Sequence, residues 1–502
     1  MLFVEPVFLF VFLPLVLLAE RLTRNTGHMT RSTLLVASGA IFYGAWSWKY
    51  LCLLFLAILC NFGISKLINS DVVKGNILQA KVLLGVAVIG NLSLLTLFKY
   101  LDFFLSSVGV ESSLNLILPL AISFYTFQQV AYVVDVYRQE VKPPAIMTYF
   151  SFVLFFPQLI AGPIVNYKDV KRDLCRFQQS RSLNRYDLAL PYLIIGLGKK
   201  LLIADPLGGF LAQQQLVMSI GESTPLLSIL TIFAYGLQLY FDFSAYGDLA
   251  LALGFALGIR LPINFDAPYK SRNIAEFWRR WHITLGRFLR DYLYIPLGGS
   301  RGTLNRTMLN LMVVMLLGGL WHGAAWGYVL WGALHGGALV LHQSLIQFRN
   351  YLGRRNGTIA SKPDWVVQLN NGFSILLTAS FVLLAWVPFY TESISDALML
   401  WSSAFSYSGE MIENANTLYE RYGIEVGMLL VNITIGLALV FFTPTSHELV
   451  NNCVRRWQKL EGGTIHNILV HPLMLFVYTP VIMIVGKSLL VGPVAAFLYF
   501  QF

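Results

Sequence analysis

The chain has 502 residues, of which 56% are hydrophobic, 14% aromatic and only 12% charged. Soluble domains carry about 25% charged residues, so this composition excludes an ordinary soluble protein and predicts an all-α polytopic membrane protein. The net charge of +10 does not indicate nucleic-acid binding, because the lysines and arginines lie in short loops between apolar runs, where they act as topology signals. The four cysteines show neither a CxxC pair nor metal-ligand spacing.

Apolar runs predict the membrane segments in chain order. The candidates lie near residues 4–20, 33–48, 50–68, 80–100, 114–136, 146–164, 187–204, 225–243, 246–262, 307–323, 325–347, 367–389, 425–443 and 469–489. A span needs about 20 apolar residues, so some of these should be tilted, interfacial or re-entrant, leaving about 11 to 13 transmembrane helices. No repeat or long polar linker divides the chain, so we expect one membrane-embedded domain over residues 1–502, with its densest motifs at 119–342.

Loop charges predict the orientation. The stretches 166–185 and 270–306 are rich in lysine and arginine and should lie in the cytoplasm. Residues 390–425 contain six acidic residues against the single basic Arg421, so this stretch should face the opposite side. Basic residues after the first span place the N-terminus outside.

The main candidate for a functional residue is His322, which follows Trp321 in an otherwise apolar run. Ionisable residues inside a membrane are costly and scarce, so they mark functional sites. Residues 307–347 form an apolar hairpin with basic ends that should be cytoplasmic. His322, close to the turn, should therefore lie between the bilayer midplane and the far side.

A second Trp-His pair, Trp281-His282, lies in a basic segment. Asn273, with Glu276 three residues later, predicts a capping box at a helix start. Four arginines then alternate with aromatic residues: Arg279, Arg280, Arg287 and Arg290. This pattern predicts an amphipathic helix at the cytoplasmic interface. Two roles remain open. Spacing favours an interfacial anchor, and the alternative is a basic vestibule for an anionic ligand, since arginine suits bidentate phosphate binding.

Two carboxylates, Asp242 and Asp248, also lie in an apolar region. They are six residues apart and do not share a helical face. We interpret them as partners of buried arginines, or as helix-end groups at a break near Gly247, in preference to a catalytic pair.

The hairpin contains two further histidines, His335 and His342, on one helical face. A structural hydrogen bond is the more common role of such a histidine. A metal site formed with His322 is disfavoured, because no carboxylate or cysteine joins these residues at ligand spacing.

Several segments together resemble the membrane-bound O-acyltransferase family. They are Phe156–Ile164, Gln238–Asp248, Phe277–Tyr294 and Gly318–Trp326, and the most specific runs are Glu276–Leu285 and Leu289–Gly299. The ending Phe497–Phe502 resembles the bacterial branch that includes an alginate O-acetylation protein.

This resemblance implies a helical bundle around a central channel, without a bound cofactor. It implies transfer of an acetyl group from a cytoplasmic thioester, either acetyl-coenzyme A or the phosphopantetheine of an acyl carrier, toward a periplasmic acceptor. The acceptor would be an exopolysaccharide such as alginate or cellulose, or a periplasmic acetyltransferase. His322, in the Trp-His-Gly motif, is implied to be catalytic, and His282 is the second family histidine.

Chemistry supports these roles, because a neutral imidazole can take a proton from an attacking hydroxyl and return it to the leaving thiolate. Gly318, Gly319 and Gly323 are expected to leave room for a narrow acyl channel. The candidates for substrate or donor binding are Arg279, Arg280, Trp281, Trp321, Asp242 and His335.

Three functions remain open from the sequence. The first is an acetyltransferase acting on an exopolysaccharide. The second is a subunit that relays acetyl to a periplasmic acetyltransferase. The third is a secondary transporter or flippase with histidines as proton relays, which inverted repeats with paired broken helices would favour.

Overall fold

A computed structural model describes residues 2–110, 116–160, 162–181, 183–219, 224–356, 364–406, 426–459 and 486. All regular elements in these ranges are helices, as predicted. In chain order they are α1 (Leu13–Leu22), α2 (His28–Gly44), α3 (Trp48–Val73), α4 (Ile77–Leu95), α5 (Leu101–Ser107), α6 (Ile122–Tyr137), α7 (Ile146–Val153), α8 (Phe156–Leu159), α9 (Tyr167–Gln178), α10 (Tyr186–Gly198), α11 (Asp205–Ser219), α12 (Pro225–Ala256), α13 (Ile274–Arg280), α14 (Ile283–Leu289), α15 (Leu304–His322), α16 (Trp326–Asn356), α17 (Asp364–Ala385), α18 (Val387–Thr391), α19 (Ile394–Phe405), α20 (Val426–Phe442) and α21 (Ser446–Lys459).

Six helical segments of the described chain are long and apolar enough to span a membrane. They are Trp48–Val73, Ile77–Ser107, Pro225–Ala256, Leu304–His322, Trp326–Leu352 and Gln368–Thr391, with a seventh if Val426–Phe442 and Ser446–Val454 are counted together. The protein is therefore a multi-pass helical membrane protein.

This number is lower than the predicted 11 to 13 because hydropathy does not register where a helix breaks. The predicted span 146–164 is interrupted between α7 and α8, and the predicted spans 225–243 and 246–262 are one helix, α12. The predicted span 469–489 lies outside the described residues apart from residue 486. The predicted helix break near Gly247 is wrong, because α12 continues through it.

The internal contacts of the chain divide it into two compact units, each discontinuous in sequence. Unit 1 contains Met1–Gly198, Ala245–Ile263 and Ser446–Gln501. The prediction of one domain over the whole chain stays a prediction.

Polar pairs between apolar helices stabilise unit 1. Asn61 of α3 and Asn91 of α4 exchange side-chain hydrogen bonds of 2.7 and 3.3 Å. Fully buried Arg31 donates to Glu20 over 3.1 Å. Asp248, also in this unit, accepts a 2.8 Å hydrogen bond from the Ser446 hydroxyl. An arginine partner for Asp248 stays a prediction.

Unit 2 contains Lys199–Ser244 and Asn264–Thr445, together with Phe502. Its centre is the predicted hairpin, formed by α15 and α16. The two helix backbones approach closely because small residues face each other: a Cβ atom on Gly319 would clash with the Tyr328 carbonyl, and one on Gly332 with the Met315 carbonyl.

These contacts overturn the expected role of the glycines. A Cβ atom on Gly318 would meet Leu289, and one on Gly323 would collide with the Tyr328 ring. The space beside these glycines is occupied by neighbouring residues, so they serve close helix packing and do not open an acyl channel.

Candidate active site

His322 is the last residue of α15, where the chain leaves the helix through extended Gly323. Its side chain is buried, with 4% exposure. Rings of three described residues pack edge to face against the imidazole: Trp321 at 4.9 Å, Trp331 at 5.2 Å and Phe389 at 5.0 Å between ring centroids. We call these three residues the His322 box. These rings give the imidazole a largely apolar surround.

His282 is fully buried and lies between α13 and α14. Its backbone φ of +41° is in the left-handed region, and the Nδ1 atom accepts a 3.4 Å hydrogen bond from the Leu285 amide as the cap of α14. Asn264 secures this turn by accepting a 2.9 Å hydrogen bond from the Ile283 amide.

The helix cap determines the tautomer of His282. Because Nδ1 uses its lone pair on the Leu285 amide, the neutral ring carries its proton on Nε2. Nε2 is buried and has no hydrogen-bond partner among the described residues. Burial lowers the pKa of His282 from 6.5 to about 3, despite the opposing backbone hydrogen bond. His282 is thus a neutral hydrogen-bond donor.

The segment around His282 differs from the prediction. One amphipathic helix at the interface was expected, but the chain forms two short helices, α13 and α14, separated at Trp281 and His282. Phe277 and Trp281 are buried, with 0% and 2% exposure, against protein rings. The aromatic part of the interfacial-anchor interpretation is therefore wrong, because Phe277 and Trp281 pack inside the protein. The contact of the arginines with lipid headgroups stays a prediction.

The Asn273 cap of α13 is confirmed, since its side chain accepts a 2.9 Å hydrogen bond from the Glu276 amide. The reciprocal half of the predicted capping box is absent. The Glu276 carboxylate accepts instead from the Arg272 amide, over 3.0 Å.

The structure brings the two Trp-His pairs together. The ring of His282 lies 6.1 Å from that of Trp321, and Trp321 contacts His322. The two histidines are separated by one indole ring. That His282 lies nearer the cytoplasm than His322 stays a prediction. The left-handed turn at His282, which hydropathy cannot reveal, directs this side chain toward α15.

His335 extends the same cluster along α16. It is fully buried, and Trp331 lies between it and His322, at 4.8 Å from His335. Trp278 of α13 packs edge-on against His335 at 5.3 Å. Both ring nitrogens of His335, and the indole nitrogens of Trp278 and Trp331, are buried without hydrogen-bond partners among the described residues. Such groups normally bind water or a ligand, so this cluster can hold a ligand that supplies acceptors.

The two candidate arginines differ in environment. Arg280 donates a 2.9 Å hydrogen bond to Glu276 and a 3.3 Å bond to the Asp266 carbonyl. Although partial burial opposes it, hydrogen bonds from Arg272 and the charges of both arginines lower the pKa of Glu276. Arg279 is exposed and makes no ion pair with a described carboxylate. Arg279 is therefore the one available to an anion.

Trp281 and Asp242 contact residues outside the His322 box. Trp281 stacks on Phe277 at 5.6 Å and contacts Trp386 at 4.9 Å. Asp242 accepts a 2.6 Å hydrogen bond from the buried ammonium of Lys200. We expected an arginine beside Asp242. The observed partner, Lys200, has the expected positive charge but is a lysine.

Three residues at the site were missed from the sequence: Trp331, Phe389 and Trp278. The signal for Trp331 was its spacing of four residues before His335, which puts both side chains on one helical face. Phe389 lies in another segment of the chain, and no local pattern pointed to it. Within the described residues, no group of three or more histidine, cysteine or acidic side chains could hold a metal ion.

Comparisons with known proteins place this geometry in context. The sequence profile described as MBOAT, membrane-bound O-acyltransferase family, matches residues 136–363, which include His282, His322 and His335. The chain is 37% identical over 446 residues to the peptidoglycan O-acetyltransferase of Helicobacter pylori, covering 82% of this chain and 80% of the relative. It is 35% identical to the "probable alginate O-acetylase AlgI" of Pseudomonas aeruginosa, covering 88% and 81%. A teichoic acid D-alanyltransferase of Streptococcus thermophilus is 29% identical, covering 56% of this chain and 69% of the relative.

Proposed function

This chain belongs to the membrane-bound O-acyltransferase family and is an O-acyltransferase, and we propose that it moves an acetyl group from a cytoplasmic thioester to a hydroxyl on the far side of a bacterial inner membrane. The observation that carries this proposal is the placement of His322. It is buried in the His322 box at the turn of a hairpin whose other ends are basic. The proposal requires that donor and acceptor reach this base from opposite sides.

The proposed reaction uses the two histidines differently. His322 takes the proton of the acceptor hydroxyl while the oxygen of that hydroxyl attacks the carbonyl carbon of the thioester. The carbon–sulfur bond then breaks, and His322 returns the proton to the thiolate, giving an ester and a free thiol. His282 cannot share the role of base, because Nδ1 is occupied by the Leu285 amide. Its Nε2–H is suited to donate to the oxyanion that develops on the carbonyl.

We propose that the donor approaches along α16. Exposed Arg279 of α13, which lies close enough to His342 of α16 for their charges to interact, would bind the phosphate of the donor. His335 and Trp331 follow toward His322, over a helical rise of about 16 Å from His342 to Trp331. The amide groups of a phosphopantetheine arm could satisfy the buried nitrogens of His335, Trp331 and Trp278. Either acetyl-coenzyme A or an acyl carrier would supply that arm.

The relay hypothesis differs only in the acceptor, which would be a periplasmic acetyltransferase in place of the polysaccharide. The transporter hypothesis loses support, since the similar proteins are named as acyl- or aminoacyltransferases. The N-terminus is proposed to lie in the periplasm, as the loop charges predict.

The test replaces the proposed base. His322→Ala in lipid nanodiscs should release less than about 1% of the thiol that the wild type releases from acetyl-coenzyme A in the presence of acceptor, because general-base catalysis contributes about 10²–10⁴-fold. The matched control is His28→Ala, which removes an exposed histidine of α2. Wild-type thiol release by His322→Ala would refute the assignment.

A further inference from the structure

A row of polar residues runs along α6 in unit 1, and the proposed acyl transfer does not use it. Buried polar side chains recur at every third position of this helix: Ser123, Thr126, Gln129, Tyr132 and Asp135. Residues three apart form a continuous ridge on a helix surface, and we call these five the α6 ridge. None of them is more than 7% exposed. Burying so many polar groups in a membrane protein is costly, which points to a function.

A titratable group lies at each end of the α6 ridge. Half-buried Lys99 donates a 3.4 Å hydrogen bond to the Ser123 hydroxyl. At the other end, the ammonium of Lys168 lies 3.4 Å from the Asp135 carboxylate, and the Lys168 side chain is 34% exposed. The ridge therefore begins and ends at groups that can bind and release protons.

The α6 ridge is long enough to cross much of a membrane. From Ser123 to Asp135 the helix rises by about 18 Å, and a lysine side chain extends the row at each end. The hydrocarbon core of a bilayer is about 30 Å thick. Lys168 belongs to the basic stretch 166–185, which is predicted to lie in the cytoplasm. The Asp135 end is thus expected to face the cytoplasm.

The middle of the ridge lacks hydrogen-bond partners. The Thr126 hydroxyl and both amide atoms of Gln129 are buried, and none of them has a partner in the part of the chain that the structure describes. The hydroxyls of Tyr125 and Tyr149 are in the same situation. Tyr125 lies one helical turn before Gln129, and the Tyr149 ring stacks on that of Tyr132 at 4.4 Å.

Water suits these unpartnered groups better than any ion does. All of them are neutral, and together they offer both donors and acceptors, of which a buried water molecule uses two to four. Between Gln129 and Asp135 the row continues through a pair of hydroxyls, since those of Tyr132 and Ser65 lie 3.1 Å apart. Hydroxyl groups and water both donate and accept, so such a row can pass a proton along.

We propose that the α6 ridge binds a row of water molecules and conducts protons between Lys99 and the Asp135–Lys168 pair, as a function separate from acyl transfer. Thr126 and Gln129 hold the water in the middle of the row. A proton binds at one end, each hydroxyl or water passes one proton to the next, and one proton leaves at the other end. No group of the ridge is altered by this passage, and its direction follows the proton gradient.

The experiment measures proton flux into liposomes that contain the purified protein and the pH-sensitive dye pyranine. Potassium with valinomycin on both sides compensates the charge that the protons carry. After a step in external pH, the wild type should acidify the lumen faster than protein-free liposomes do. Thr126→Val and Gln129→Leu should lower the rate to that of protein-free liposomes, because each removes groups that bind the water.

Two matched controls separate conduction from folding. Thr126→Ser keeps the hydroxyl and should conduct like the wild type, whereas Thr126→Val has a similar shape and lacks it. Gln128→Leu removes a buried glutamine of α6 that is not part of the ridge, and it should also conduct like the wild type. The melting temperature of each variant shows whether it folds, and the Thr126 pair decides the question if Gln129→Leu does not.

Hydroxyl-radical labelling tests for the water directly, because radicals formed from buried water oxidise the side chains beside it. Tyr149 is 0% exposed and should be labelled nevertheless. Tyr269 is the matched control, since it is 4% exposed and its hydroxyl donates a 2.7 Å hydrogen bond to the Gly236 carbonyl. It should stay unlabelled.

Three results overturn the inference. One is a wild-type flux equal to that of protein-free liposomes. Another is a wild-type flux in folded Thr126→Val. The third is loss of flux in His322→Ala, which would place the conduction at the histidines of unit 2. The proposed acyl transfer is tested by thiol release and not by proton flux, so either proposal can fail without the other.

Discussion

Replacing His282 with asparagine separates its structural role from its chemical one. Asparagine is a good helix N-cap and tolerates the left-handed region, so its Oδ1 can accept from the Leu285 amide as Nδ1 does now. We expect the free energy of unfolding to change by less than about 1 kcal/mol. The shorter side chain cannot place a donor where Nε2–H lies. Turnover should therefore fall by about 10²–10³-fold, the cost of one oxyanion donor.

The assay for His282→Asn is thiol release from acetyl-coenzyme A in nanodiscs across pH. Since the pKa of buried His282 is about 3, its charge does not change in the working range. The acid limb of the pH profile should then lie at the same pH in the variant and the wild type, with only the plateau lowered. His282→Ala, which loses cap and donor together, should be both inactive and less stable. An acid limb that moves in His282→Asn would refute the tautomer argument, because His282 would then titrate during turnover.

The same pKa predicts a pH dependence of stability. Between pH 6.5 and about 3 the unfolded chain binds a proton at His282 that the folded chain does not. Its contribution to stability is complete above pH 6.5 and declines as the pH falls, by up to about 1.4 kcal/mol per pH unit. Thermal unfolding in detergent at about pH 7 and about pH 5 should show a smaller acid loss in His282→Asn than in the wild type. Equal losses would contradict the assignment.

The remaining predictions concern the donor side and the packing of unit 2. Arg279→Ala should raise the KM for the thioester with little loss of stability. Arg280→Ala breaks a partly exposed ion pair and should lower stability by up to about 1 kcal/mol. Identical kinetics of the two variants would contradict these separate roles. Lys200→Met removes the cation beside buried Asp242 and should destabilise the protein by about 3–5 kcal/mol in thermal unfolding. The double variant that also replaces Asp242 with leucine should lose less stability, and an equal loss would contradict the pairing. Gly319→Ala should destabilise by about 1–3 kcal/mol through its clash across the hairpin, and an unchanged melting temperature would argue against close packing there.

The sequence determined the properties that depend on local composition. Apolar runs predicted a helical membrane protein, and the run around His322 predicted a hairpin with its turn beside that residue. The motifs between Phe156 and Trp326 indicated the family, and the orientation that the basic and acidic loops predict stays a prediction. The sequence alone contains these signals, because hydropathy, charge and short motifs each depend only on one helix and its flanking loops.

Only the tertiary structure decided which residues meet. The left-handed turn at His282 split a predicted helix and put this residue beside Trp321. Phe389, from a distant segment, closes the His322 box, and Lys200 replaces the arginine expected beside Asp242. Hydropathy could not foresee these contacts, because they join residues far apart in the chain. They depend on where helices break and on which faces then pack together, and both are decided by long-range steric and hydrogen-bond constraints.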